Sequence, residues 1–123
     1  MNKPKRNVFA ERLLSLVFVC KGIWHLLRSE HSIIIQTIIG VAVTLAGFWF
    51  QISPVEWMIQ TLAIGLVLGV EAMNTAVEKM ADFIHPEYHK KIGIIKDISA
   101  AAVGFVAISA VVVSLIIYLP KIL

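Results

Sequence analysis

The chain has 123 residues, enough for one domain, and 59% of them are hydrophobic. Charged residues make up 15%, well below the quarter usual in soluble domains, and the mean hydropathy is +0.85. A soluble fold of this size cannot hide so much apolar surface, so an all-α integral membrane protein is expected. The net charge of +3 says less than its placement. Lys3, Lys5, Arg6, Arg12, Lys21 and Arg28 precede the first long apolar run, and Lys79, Lys90, Lys91 and Lys96 cluster between the second and third. These residues flank apolar spans instead of forming a soluble basic face, which argues against a nucleic-acid partner. Cys20 is the only cysteine, so no intrachain disulfide can form. No cleavable signal peptide is expected, because Glu11 and Arg12 interrupt the first apolar segment and Lys21 ends it.

Residues 8–29 carry a helical stripe of Phe9, Leu13, Leu16, Cys20, Ile23, Trp24 and Leu27, with Glu11, Ser15, His25 and Ser29 opposite. The uninterrupted apolar piece, "LLSLVFV", falls far short of the roughly 20 residues needed to cross a bilayer. This segment reads as an amphipathic helix lying in the membrane interface. Three runs are long enough to cross: 33–52, 55–83 and 98–119, the last closed by Pro120. Basic residues favour the cytoplasmic side. The N-terminus and the loop at 84–96 are then inside, the bare link "QISPVEW" is outside, and Lys121 is a weak exception. The second span is longer than the bilayer needs, so its C-terminal part should emerge into the cytoplasm.

That emerging part reads "LGVEAMNTAVEKMADFIHPEYHKKIGIIKD". At 100° per residue, Glu71, Asn74, Glu78 and Asp82 fall within a band of about 80° on one face. Like charges one turn apart repel, and a cation between them relieves that cost. Carboxylate oxygens suit Mg²⁺, which takes one or two of them and otherwise binds water and phosphate oxygens. Glu71 sits among Leu68, Gly69, Val70 and Ala72, in or near lipid. An ionisable residue at that depth is a functional candidate by default and suits a general base near a hydroxyl. Glu78 and Asp82 alone would equally fit a solvated helix end, and Asn74 alone an interhelical hydrogen bond. Glu30 closes the surface helix at the same level as Glu78. It reads either as a surface acid or as a second carboxylate for a shared divalent ion. Lys96 can neutralise phosphate as a point charge. His85 and His89 have the spacing of a helical metal pair, but Pro86 between them makes a loop that touches a ligand the better reading. "GLVLG" at 65–69 allows close helix packing.

Taken together, "VEAMNTAVEKMAD", "PEYHKKI" and "IKDISAAAV" resemble the small prokaryotic integral-membrane diacylglycerol kinase family, which includes undecaprenol kinases. The resemblance covers nearly the whole chain and rests on a specific E-x-x-N-[ST]-A-[IV]-E pattern with a downstream Lys-Asp. It implies a homotrimer with active sites shared between subunits, ATP as phosphoryl donor and Mg²⁺ as cofactor. By position it implies Glu71 as the general base at the lipid substrate, and Glu30 and Glu78 as the metal ligands. Asn74, Asp82, Glu87, Tyr88, His89, Lys96 and Asp97 are implied as nucleotide-contacting residues. The chain departs from relatives at "HSIIIQ" after Glu30, and at Glu11 and Leu14. The expected reaction is transfer of the ATP γ-phosphoryl group to a membrane lipid alcohol at the cytoplasmic face of the bacterial inner membrane. Diacylglycerol is the first expectation for the acceptor and undecaprenol the alternative. A reading from another class is a small proton or ion transporter with Glu71 as carrier. The aqueous-side carboxylates argue against it, because transport sites lie near the midplane.

Overall fold

The computed structural model describes residues 7–123, which form four helices in chain order: α1 Val8–Ser29, α2 His31–Trp49, α3 Pro54–Ile84 and α4 Lys90–Ile122. Expectations that fall on Lys3, Lys5 and Arg6 lie outside the described residues. α1 starts where the Asn7 side chain accepts a hydrogen bond from the Phe9 N–H at 3.2 Å. It ends at Glu30, which is both the C-cap of α1 and the N-cap of α2. The two helices therefore meet at an elbow of one residue. Nothing in α1 is fully buried: most of its apolar stripe is exposed, and only its C-terminal part, at Ile23, Leu26 and Leu27, borders α2 and α3.

α2 ends three residues earlier than its apolar run. The Ile52 N–H donates to the Gly47 carbonyl at 3.2 Å and the Gln51 N–H to that of Phe48 at 3.3 Å, with Gln51 at φ 50°. This is the Schellman pattern, with glutamine in the left-handed position that glycine usually fills. Ile52 then folds back and is buried at 6% exposure. α3 begins with a capping box: Ser53 Oγ accepts from the Glu56 N–H, and Glu56 Oε1 accepts from the Ser53 N–H. Pro54 follows at the first helical position, where its missing N–H has no partner to lose.

α3 has 31 residues and α4 has 33, lengths of about 46 and 50 Å against a hydrocarbon core of about 30 Å. Both are long and apolar enough to cross a membrane, as is α2. They form the most extensively packed pair, an antiparallel hairpin joined by residues 85–89, with α2 against α3 and α1 against α2. α2 lies close to α3 at Gly40 and Gly47. A Cβ at Gly40 would come within 3.2 Å of Ile64 Cγ2, and one at Gly47 within 2.7 Å of the Trp57 ring.

Two boundaries differ from expectation. The segment 90–97 is helical, not loop, because His89 Nδ1 caps α4 by accepting from the Lys91 N–H at 3.1 Å. Pro120 does not close α4, which runs on to Ile122. Pro120 removes the N–H that would bond the Ile116 carbonyl, but the turn continues beyond it, with the Leu123 N–H donating to the Leu119 carbonyl and Lys121 Nζ to that of Ile117 at 2.9 Å.

Among the described residues, the only buried hydrophobic side chains are Ile33, Ile52, Val67, Ala81 and Ile117. The accessible surface of 9766 Å² far exceeds the about 6,600 Å² of a compact monomer of this mass. Phe18, Leu45, Leu62, Phe105 and Ile116 are among the large apolar side chains left exposed. These faces require lipid or further protein against them.

At the end opposite the acidic stripe, polar contacts tie three helices together. Tyr118 Oη on α4 donates to Gln60 Oε1 on α3 at 2.5 Å, and Gln60 Nε2 donates to the Val43 carbonyl on α2 at 3.3 Å. Lys121 Nζ lies 2.8 Å from Glu56 Oε2, so Lys121 is paired and is not a free positive charge at this end. Glu56 thus caps α3 with one oxygen and holds α4 with the other.

Candidate functional site

The acidic face of α3 is graded along its length. Glu71 is buried at 7% exposure, Asn74 is half-buried, and Glu78 and Asp82 are exposed. Thr75, one turn beyond Glu71 on the same face, is also buried at 7%. The gradient belongs to one face of α3 and not to the whole helix end, since Ala81 near the C-terminus is buried at 6% exposure. One helix therefore carries a sheltered carboxylate and, 11 residues on, an open one, about 16 Å apart along the axis.

Each of the four polar groups has a different set of partners. Asp82 accepts from Lys96 Nζ across the α3–α4 hairpin at 2.5 Å. Glu78 has no ion pair among the described residues. Asn74 Oδ1 is buried with no hydrogen-bond donor. A buried acceptor left unpaired is costly, so its persistence marks a place where a further partner belongs. Glu30 at the α1–α2 elbow reaches α3 one residue past Glu78, with its Oε1 3.1 Å from Lys79 Nζ.

Beyond the stripe, a surface hollow between the C-terminal end of α3 and the N-terminal end of α4 is lined by Asp82, Glu87, Tyr88, His89, Lys96 and Asp97, with His85 beside them. Six of the seven expected nucleotide contacts thus come together, while Asn74 lies two turns away along α3. The hairpin connection is internally fixed. His85 Nδ1 lies 2.6 Å from the Glu87 carbonyl, so that nitrogen carries the proton. His89 Nδ1 accepts from Lys91 at the start of α4, which leaves its Nε2–H free to donate. The two imidazole rings stand edge to face at 5.4 Å, and both Nδ1 atoms are already used. Tyr88 is 89% exposed. Its ring edge passes close to Gly93, 3.7 Å from where a Cβ would stand.

No cluster of three or more histidine, cysteine or acidic side chains able to hold a metal occurs among the described residues. The donors present fit Mg²⁺ in another way: Glu78 and Glu30 offer carboxylates, and the orphaned Asn74 oxygen faces no protein donor. Mg²⁺ takes only one or two protein carboxylates and fills the rest of its octahedron with water and phosphate oxygens.

Three features of this region are absent from the sequence reading. The Lys79–Glu30 pair joins residues far apart in the chain and has no local signature. Thr75 could have been found, because it lies four residues beyond Glu71 on the same face. The capping role of His89 hides behind a residue type that seldom caps helices.

Comparison with known proteins places these features in context. Residues 17–118 match the family described as prokaryotic diacylglycerol kinase. An undecaprenol kinase of Bacillus subtilis is 34% identical over 120 residues, 98% of each chain. A diacylglycerol kinase of Synechocystis sp. is 31% identical over 124 residues, covering all of this chain and 71% of that one. The diacylglycerol kinase of Escherichia coli K12 is 37% identical over 76 residues, 59% of this chain and 62% of its own.

Proposed function

The chain belongs to the prokaryotic diacylglycerol kinase family and is a lipid kinase; from that premise we propose that it transfers the γ-phosphoryl group of ATP to the hydroxyl of undecaprenol. The motif resemblance taken alone favours diacylglycerol. Similarity to an undecaprenol kinase along 98% of both chains supports undecaprenol instead.

The observation that carries the reading is the gradient on α3. Glu71 is buried at the lipid-facing level, while Asp82 and the Lys96 hollow stand in the open on the same helix. A nucleotide lying along this face has its base at the hollow and its reacting end toward Glu71. Tyr88 presents an exposed ring for the adenine, and the free Nε2–H of His89 is a donor beside it. Lys96 supplies positive charge for the phosphates, as a compact ammonium that tolerates many geometries. Glu30 and Glu78 would hold Mg²⁺, which when bound neutralises charge on the phosphate oxygens, and Asn74, whose buried Oδ1 has no donor, stands beside the nucleotide.

Glu71 accepts the proton of the lipid hydroxyl. The freed oxygen attacks the γ-phosphorus, the bond to the β–γ bridging oxygen breaks, and ADP leaves. Phosphoryl transfer asks for positioning and charge compensation more than covalent chemistry, which the helical scaffold supplies. Burial of Glu71 keeps bulk water from competing as the acceptor.

In the membrane, α1 lies in the cytoplasmic interface and α2, α3 and α4 cross. The N-terminus and the hollow face the cytoplasm, the side that the excess of Lys and Arg at this end favours. Lys121 at the other end is the weak exception. The exposed apolar faces need lipid or further protein against them, and the homotrimer is what the family resemblance implies. Purified protein in mixed micelles with Mg-ATP, offered undecaprenol and diacylglycerol separately, tests the proposal. Phosphorylated undecaprenol is the expected product. Faster turnover of diacylglycerol overturns the acceptor assignment, and pH-driven flux without ATP turnover overturns the kinase mechanism.

A further inference from the structure

Glu30 is placed where an acidic side chain has a local task. Residues at an N-cap ordinarily turn a side-chain oxygen onto the free N–H groups of the helix they start. The Glu30 carboxylate makes no such bond to α2. It crosses instead to α3, where Lys79 Nζ stands 3.1 Å from Oε1. Lys79 likewise passes over a nearer partner. Asp82 lies three residues on along its own helix, a spacing at which acid and base pair, but Asp82 is held by Lys96 of α4. The result is two cross-helix pairs, at the first and fourth residues after Glu78, which itself has no ion pair among the described residues.

We propose that Lys79 is the resident counter-ion of Glu30, a positioning residue that holds this carboxylate against the turn of α3 that carries Glu78 and that Mg²⁺ must displace. The inference rests on the reading of Glu30 and Glu78 as the metal ligands. Two carboxylates brought to one turn of a helix without a cation repel each other, and the ammonium of Lys79 relieves that repulsion in the metal-free protein. A divalent ion arriving there meets a ligand already neutralised and a positive charge beside it. Both effects weaken metal binding, so Lys79 sets how much Mg²⁺ the protein requires. The Lys79 side chain is 57% exposed and that of Glu30 is 26% exposed, so solvent screens the pair and the effect is bounded at about fivefold.

The probe is Mn²⁺, counted as free ion by electron paramagnetic resonance, with purified protein and a non-hydrolysable ATP analogue so that no turnover occurs. Lys79→Met should bind Mn²⁺ about two- to fivefold more tightly than the natural sequence. Lys79→Arg keeps the cation and should bind as the natural sequence does. In a Glu30→Gln background, Lys79→Met should have a smaller effect, because only the repulsion by its own charge is left to remove. Lys79→Gln, measured alongside, carries the same expectation if the methionine variant loses its helical circular dichroism. Equal or weaker binding in the neutral variants overturns the proposal, as does an effect that survives undiminished in Glu30→Gln. Should Glu30→Gln itself bind Mn²⁺ as well as the natural sequence, Glu30 is no metal ligand, and the reading beneath the proposal fails with it.

Discussion

Asp82 and Lys96 meet across the α3–α4 hairpin, yet their side chains remain 60% and 35% exposed. An ion pair in that setting contributes little to stability, on the order of 0–1 kcal/mol. Its place at the edge of the hollow that also holds Tyr88, His89 and Asp97 gives Lys96 a second role. Lys96→Met should shift the thermal unfolding midpoint only slightly and raise KM for ATP about tenfold or more, the loss of one charge-assisted contact of roughly 1.5–3 kcal/mol. Steady-state kinetics beside thermal unfolding in detergent separates the two. A large fall in the midpoint with KM unchanged would make Lys96 a structural residue.

Glu71→Gln keeps the shape of a buried side chain and removes its capacity to take a proton. The variant should retain its helical circular dichroism and its assembly and lose about 10²- to 10⁴-fold in lipid phosphorylation, the usual contribution of a general base. Added Mg²⁺ should not restore it. Near-normal turnover ends the assignment of Glu71 as base.

Glu30→Gln and Glu78→Gln should behave differently, because the remaining ligands and the ATP phosphates still retain the ion weakly. Each should raise the Mg²⁺ midpoint of the initial rate, about tenfold for each 1.4 kcal/mol of lost interaction, with recovery at high metal. A Mg²⁺ titration of both variants against Glu71→Gln at saturating ATP and lipid checks it. Unchanged midpoints in the first two with a shift in the third reverse the roles.

A site shared between subunits predicts complementation. Inactive Glu30→Ala chains co-assembled with inactive Glu71→Ala chains should recover part of the natural activity, provided cross-linking verifies mixed assemblies. No recovery in such assemblies places Glu30 and Glu71 of each site on one chain.

Tyr118→Phe leaves Gln60 Oε1 without its donor in a residue that is only 3% exposed. Hydrogen bonds between membrane helices average about 0.6 kcal/mol, with a maximum near 1.7, and a loss in that range is expected. Gln60→Leu with Tyr118→Phe removes both partners and should cost less than the two single changes added together. Unfolding of all three variants in one detergent measures the coupling.

Much of this architecture can be read along the chain because lipid imposes a simple rule: long apolar helices with charge at their ends. The stripe from Glu71 to Asp82 is legible for the same reason, as four polar groups at helical spacing where the apolar run should continue. What escapes is non-local or terminal. Lys79 has several acids within a few residues, and nothing in the order of letters says that it pairs with Glu30. Lys121 looks like an unexplained charge until α3 and α4 place Glu56 beside it. Gln51 takes a left-handed conformation that its residue type does not advertise, so α2 stops before its hydrophobicity does. Pro120 reads as a stop because it lacks the N–H that would bond the Ile116 carbonyl, yet the loss of that one bond does not keep α4 from running on to Ile122.

The elbow at Glu30 has a mechanical meaning. α1 is a rod of 22 residues, about 33 Å long, joined to the first crossing helix without any slack. With α1 in the interface, as proposed above, a change in its tilt would turn about the residue whose carboxylate meets Lys79. Bilayer thickness and lateral pressure would then act on that carboxylate through a lever, with no messenger molecule between them, and a detergent micelle of different curvature would set the same residue at a different angle.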